Sequence, residues 1–148
     1  MRHTLRTEVD IAATPDEVWR CLTDFGDYPA WNPFITAVQG VAAVGQRLTV
    51  RLDPPGGRGI TIRPTVTDVV PGQALEWLGR LGPPGVFDGR HRFELHETAT
   101  GTRLVHGESF QGLLVRPMRG SLDRSTRAGF VAMNDALARR VRRDRAEA

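Results

Sequence analysis

The chain has 148 residues, 40% hydrophobic and 25% charged, which suits one domain able to build a core without a disulfide or a metal. The formal net charge is +3, and there is no lysine, only arginine; so small a field does not mark a nucleic-acid partner. Cys21 stands alone, which excludes an intramolecular disulfide.

No apolar run approaches the roughly 18 residues that cross a bilayer, so stable membrane insertion is not expected. The first residues, Met1-Arg2-His3-Thr4-Leu5-Arg6, lack the apolar stretch of a signal peptide, and the cytoplasm is the expected location. From Leu5 to Ala12 the chain alternates Leu5, Thr7, Val9 and Ile11 against Arg6, Glu8 and Asp10, which predicts a strand with one buried face. Thr14-Pro15-Asp16-Glu17 then announces a helix: Thr14 as N-cap, Pro15 at the first helical position, Glu17 completing a capping box. Its buried side would carry Val18, Trp19 and Leu22. A second short helix spans Phe25 to Trp31, stopped by Pro33.

Strands and turns follow. Gln46 to Leu52 alternates, and Ile60 to Val70 reads as one longer strand with a bulge or edge position at Pro64. Gln73 to Leu81, Val86 to Glu97 and Thr102 to Gln111 complete the series, the last two joined by the turn Thr98-Ala99-Thr100-Gly101. The period then changes. Leu122, Thr126, Phe130, Met133, Leu137 and Val141 recur at helical steps, predicting a long helix from about Arg119 to Arg143, with Asn134 off the stripe. The arginine cluster from Arg139 to Arg145 reads as the solvated end of that helix, where cations suit the dipole.

The order predicts a single α+β domain over residues 1–148: a curved antiparallel sheet of about seven strands around a long C-terminal helix, with two short helices after the first strand. One helix cannot fill the concavity of so large a twisted sheet, which leaves an apolar space for a ligand.

Several stretches resemble the START/SRPBCC superfamily, and within it the bacterial polyketide cyclase/dehydrase-like branch. They are Ile11-Ala12-Ala13-Thr14-Pro15-Asp16-Glu17-Val18-Trp19, the run from Phe25 to Ile35, Leu75-Glu76-Trp77-Leu78-Gly79, His91-Arg92-Phe93-Glu94-Leu95 and the run from Gly101 to Gly112. The resemblance implies a helix-grip fold with a cavity between sheet and helix, entered near the N-terminal end of the helix. It implies a hydrophobic or aromatic ligand and no cofactor. It carries no catalytic motif across, because the polar groups inside such cavities vary between subfamilies.

Candidate polar groups come from strand parity. His91, Phe93 and Leu95 share one face, as do Leu104, His106, Glu108 and Phe110; the apolar members point inward and take His91, His106 and Glu108 with them. Pairing Leu95 with Leu104 would set Phe93 opposite His106 and His91 opposite Glu108. The three form a candidate acid–base patch, with a self-satisfied structural cluster as the alternative. Trp31 and Phe34 are candidates for the mouth; Leu75, Trp77, Phe93, Phe110, Leu122, Thr126, Phe130 and Met133 are candidates for the interior. Asp24, Asp27 and Asn32 read as capping and turn residues. No metal site is expected, since His91 and His96 differ in parity.

Three functions stay open at this point. One is a binding protein for a small hydrophobic molecule, aromatic, lipid or polyketide-like. Another is a cofactor-independent cyclase or dehydratase using the cavity His and Glu. The third is a protein-interaction module with a filled cavity, and homodimerisation is left open.

Overall fold

The computed structural model describes residues 2–148. Among them lie eight strands: β1 (Arg2–Ile11), β2 (Ile35–Gln39), β3 (Thr49–Leu52), β4 (Ile60–Ile62), β5 (Thr65–Val70), β6 (Ala74–Arg80), β7 (Asp88–Thr98) and β8 (Gly101–Gln111). Helix α1 (Pro15–Thr23), a 3-10 turn (Phe25–Asp27) and α2 (Tyr28–Trp31) follow β1. The chain ends in one helical run: α3 (Val115–Ser121), a π turn (Leu122–Thr126) and α4 (Arg127–Glu147). This is the α+β arrangement that the element order implied and the helix-grip fold that the resemblance implied.

The strands form two antiparallel sheets rather than one, ordered β1-β8-β7-β6-β5 and β2-β3-β4. The expected strand from Ile60 to Val70 divides at Arg63-Pro64, because proline has no N–H for the ladder. The segment before β3 runs beside β5 instead: Leu48 N donates to Pro64 O at 2.8 Å and Val66 N to Gln46 O at 2.8 Å. The two sheets therefore meet at this seam and curve together around the helix.

Helix α1 starts as its sequence dictates. Glu17 N donates to Thr14 Oγ1 and Thr14 N donates to Glu17 Oε1, a complete capping box. Its buried side is Val18, Cys21 and Leu22, with Trp19 only half-buried. The main core lies between the inner face of the five-stranded sheet and α4, where Phe130, Met133 and Leu137 are fully buried. Gly129 lets the helix approach Phe34: a Cβ there would collide with the Phe34 ring, which packs 5.6 Å from Phe130. Among the described residues, no helix is long and apolar enough to cross a membrane.

Candidate functional site

The hairpin β7–β8 has the register read from its alternation: Leu95 opposes Leu104, Phe93 opposes His106 and His91 opposes Glu108. Neighbouring strands extend these pairs into rows on the inner face. One row is Trp77, His91, Glu108 and Leu5; the next is Leu75, Phe93, His106 and Thr7. Directly opposed side chains sit about 5 Å apart, so the polar members of both rows are in reach of one another. The even positions of β7 face outward, where Arg90 and Arg92 pair with Glu76, Asp68 and Glu94.

His91 is 4% exposed and His106 is fully buried. They join a hydrogen-bonded chain that begins at Glu108 and ends on the backbone. His91 Nδ1 lies 3.0 Å from Glu108 Oε1, and His91 Nε2 lies 2.8 Å from His106 Nε2. His106 Nδ1 lies 2.7 Å from Asn134 Oδ1, on α4. Asn134 Nδ2 donates to Thr7 Oγ1 at 2.8 Å, and Thr7 Oγ1 donates to the His106 carbonyl at 2.8 Å. Burial in aromatic surroundings completes the setting: His106 stacks on Phe130 at 4.1 Å and 13°, and Trp77 stacks on His91 at 5.1 Å and 21°.

The network itself assigns the protons. Thr7 gives its hydroxyl hydrogen to the His106 carbonyl, so it can only accept from Asn134. That turns the Asn134 carbonyl toward His106, whose Nδ1 must carry a hydrogen. Burial holds the His106 pKa well below its ordinary 6.5, the neighbouring His91 adds to this, and the Asn134 bond opposes it. Neutral His106 then has a bare Nε2, which accepts from His91 Nε2–H. One hydrogen remains between His91 Nδ1 and Glu108 Oε1. Placed on either atom, it leaves the pair without net charge.

Beside this chain lies a cavity of about 400 Å³. Its walls are mostly apolar: Phe34, Leu52, Ile60, Ile62, Trp77, Leu81, Phe87, Phe110, Met118 and Leu122. The three-stranded sheet closes one side, β6–β8 another, and α3 with the π turn a third. His91 and Glu108 lie in the wall, together with Thr126, Arg58 and Arg80. The Glu108 side chain is 16% exposed. A Cβ on Gly89 would collide with Glu108 Oε2, so the glycine leaves room for the carboxylate.

Of the residues singled out from sequence, Phe34, Trp77, Phe110, Leu122 and Thr126 line this cavity, as do His91 and Glu108. His106 lies one layer behind them. Leu75, Phe93, Phe130 and Met133 are core, because α4 lies directly on the sheet there and leaves no gap. Trp31 is elsewhere, packed on Tyr28 at 5.1 Å and bordering a depression with Ala136, Arg139, Arg140 and Arg143. It follows α2 toward α4 and does not line the cavity. Asn134 and Thr7 were not singled out as site residues. Asn134 lies four residues after Phe130 and three before Leu137, so the helical period does place it inward.

Cys21 is no nucleophile here: burial, with Asp144 adding to it, pushes its thiol up to about 12. Among the described residues, no three His, Cys, Asp or Glu side chains gather as they would around a metal ion.

Comparison with known proteins gives a consistent result. Residues 2–143 match the family described as polyketide cyclase/dehydrase and lipid transport. The fold is similar to that of protein MLL2253 from Mesorhizobium loti, with 24% identity and a TM-score of 0.75 over 95% of this chain and 98% of that one. It is similar to the ZhuI aromatase/cyclase from a Streptomyces species, with 19% identity and a TM-score of 0.78 over 97% of this chain and 95% of that one. Norcoclaurine synthase from Thalictrum flavum, a point mutant in complex with a transition-state analogue, gives 15% identity and a TM-score of 0.74 over 98% and 97%. At these identities the structural likeness shows the fold alone. No curated protein matches the chain.

Proposed function

The chain belongs to the polyketide cyclase/dehydrase and lipid transport family, and from that premise we propose that it binds a small hydrophobic molecule, aromatic, lipid or polyketide-like, between its sheets and its C-terminal helix. The observation that carries this reading is the cavity. Its volume of about 400 Å³ falls within the range of about 300–1,000 Å³ usual for small-molecule sites, and its lining is apolar with few polar groups. The space also weighs against an interaction module with a filled interior.

A second reading, a cyclase or dehydratase, draws on one further observation: an acid and an imidazole, 3.0 Å apart, stand in the cavity wall. They can share and release one proton beside a bound substrate. Against it, His91 is hydrogen-bonded at both nitrogens, so its role as a base is limited to what passes through Glu108.

Native mass spectrometry of the protein, released from cells without denaturation, tests the first reading. The expected result is a retained hydrophobic adduct that is weakened in Leu122→Trp, whose indole projects into the cavity and takes up part of it, while the variant stays folded. A wild-type chain free of any adduct, and indifferent to added naphthalene-sized probes, would contradict it. Turnover of the identified molecule that vanishes in Glu108→Gln with binding retained would move the assignment to the enzyme.

A further inference from the structure

The hydrogen-bonded chain behind the cavity has a direction, and that direction constrains the ligand. The four donors that precede the His91–Glu108 contact all point away from the cavity. Thr7 gives to the His106 carbonyl, Asn134 to Thr7, His106 to Asn134 and His91 to His106. The last hydrogen lies between His91 Nδ1 and Glu108 Oε1. The one N–H left without a partner, the second of the Asn134 amide, is buried in the core and does not line the cavity, so it is not offered to a bound molecule. What is left over is Glu108 Oε2, which has lone pairs whether the shared hydrogen sits on nitrogen or on Oε1. Among the described residues Oε2 has no hydrogen-bond partner and is not sealed from solvent.

We propose that Glu108 Oε2 is the polar anchor of the cavity and that it selects a hydrophobic ligand carrying a hydroxyl or N–H donor over one carrying only a carbonyl or ether. This rests on the reading that the cavity binds a small hydrophobic molecule. The apolar walls supply affinity for the ring system, and the acceptor at Glu108 fixes which way the ring system lies. A carbonyl oxygen placed at the same point would face an oxygen with no hydrogen to give. It would lose its water and gain nothing, the asymmetry that makes polar discrimination large in dry sites. The other polar groups of the lining are donors at other points: the exposed Arg58 and Arg80, the latter paired to Asp88 at 3.4 Å, Thr126 on the helix, and the indole N–H of Trp77, so the selection belongs to the Glu108 position alone. Gly89 is part of the device, since any side chain there would push the carboxylate off its position.

The test uses three probes of nearly the same shape: 2-naphthol, 2-methoxynaphthalene and 2-acetonaphthone, titrated against tryptophan fluorescence. In water the naphthol is the better solvated, so hydrophobic transfer alone ranks it last. The expected result is that it binds about tenfold tighter than the other two, the size of one net hydrogen bond. In Glu108→Leu, whose side chain covers His91 Nδ1, that advantage disappears. Equal or tighter binding of the ether or the ketone to the wild-type chain would overturn the anchor while leaving the ligand-binding reading intact. No saturable binding of any probe would overturn both. Ring ¹⁵N shifts provide a readout that needs no ligand: His106 should carry its hydrogen on Nδ1 and not on Nε2. The opposite tautomer would overturn the direction of the chain.

Discussion

Protonating His106 would place a charge in a fully buried stack between Phe130 and Phe93, and the Asn134 bond offsets only part of that cost. Its pKa is depressed in the folded state and close to 6.5 in the unfolded chain. The unfolded state therefore takes up the proton first as pH falls. The stability that depends on neutral His106 is complete above about pH 6.5 and is lost progressively below it, by up to about 1.4 kcal/mol per pH unit. Urea denaturation at pH 7.5, 6.5 and 5.5 should show that decline, and His106→Gln should flatten it. A wild-type chain equally stable at all three values would contradict the neutral assignment. At this scale the sequence was informative where parity governs: His91, His106, Glu108 and Thr7 were on the right faces of their strands. It placed Asn134 off the inner stripe, whereas the residue is buried, because the stripe was drawn through apolar residues and a buried amide has no hydrophobic signature. Its reason for being inside is His106, 28 residues away in the chain.

Elements differ in how much of their form is local. Helix α1 was legible because a capping box and Pro15 state its start within four residues. Strand β2 was not, because a register shift between Ile35 and Ala37 breaks its alternation. The C-terminal helix begins at Val115, ahead of the expected Arg119, since Pro117 is tolerated in its first turn. The π turn at Leu122–Thr126 has no sequence mark at all, yet both of its end residues line the cavity. Ser125 in the same turn donates to Pro55 O at 2.7 Å, which ties the helix to the loop that bears Arg58. Gly129 shows packing overruling propensity. Alanine is preferred over glycine inside a helix by about 1 kcal/mol, but here its methyl would strike the Phe34 ring. Gly129→Ala should therefore destabilise the fold, by about 1–3 kcal/mol for an overpacked contact, and shift Phe34 into the cavity. Chemical denaturation and weakened probe binding would both register it; a gain in stability would show that the ring yields freely.

For the whole molecule, the fold class followed from element order, but the cavity did not follow from periodicity alone. The inner stripe of the helix looks uniform in sequence, while in space its halves do different work. From Phe130 onward α4 lies on the sheet and makes core; ahead of it, Met118, Leu122 and Thr126 stand off and border open space. The second sheet, β2-β3-β4, makes the difference, because it wedges Phe34, Leu52, Ile60 and Ile62 between the helix and β6. This division underlies the central claim, that a hydrophobic ligand sits at the N-terminal half of the helix and nowhere else along it. The most direct measurement is intermolecular NOEs from 2-naphthol ring protons to the methyl groups of the ¹³C-labelled protein. The account predicts contacts to Leu52, Ile62, Met118 and Leu122 and none to Met133 or Leu137. Saturable binding whose NOEs fall instead on exposed methyls such as Val41, Val44 or Val131, with the cavity methyls silent, would contradict it.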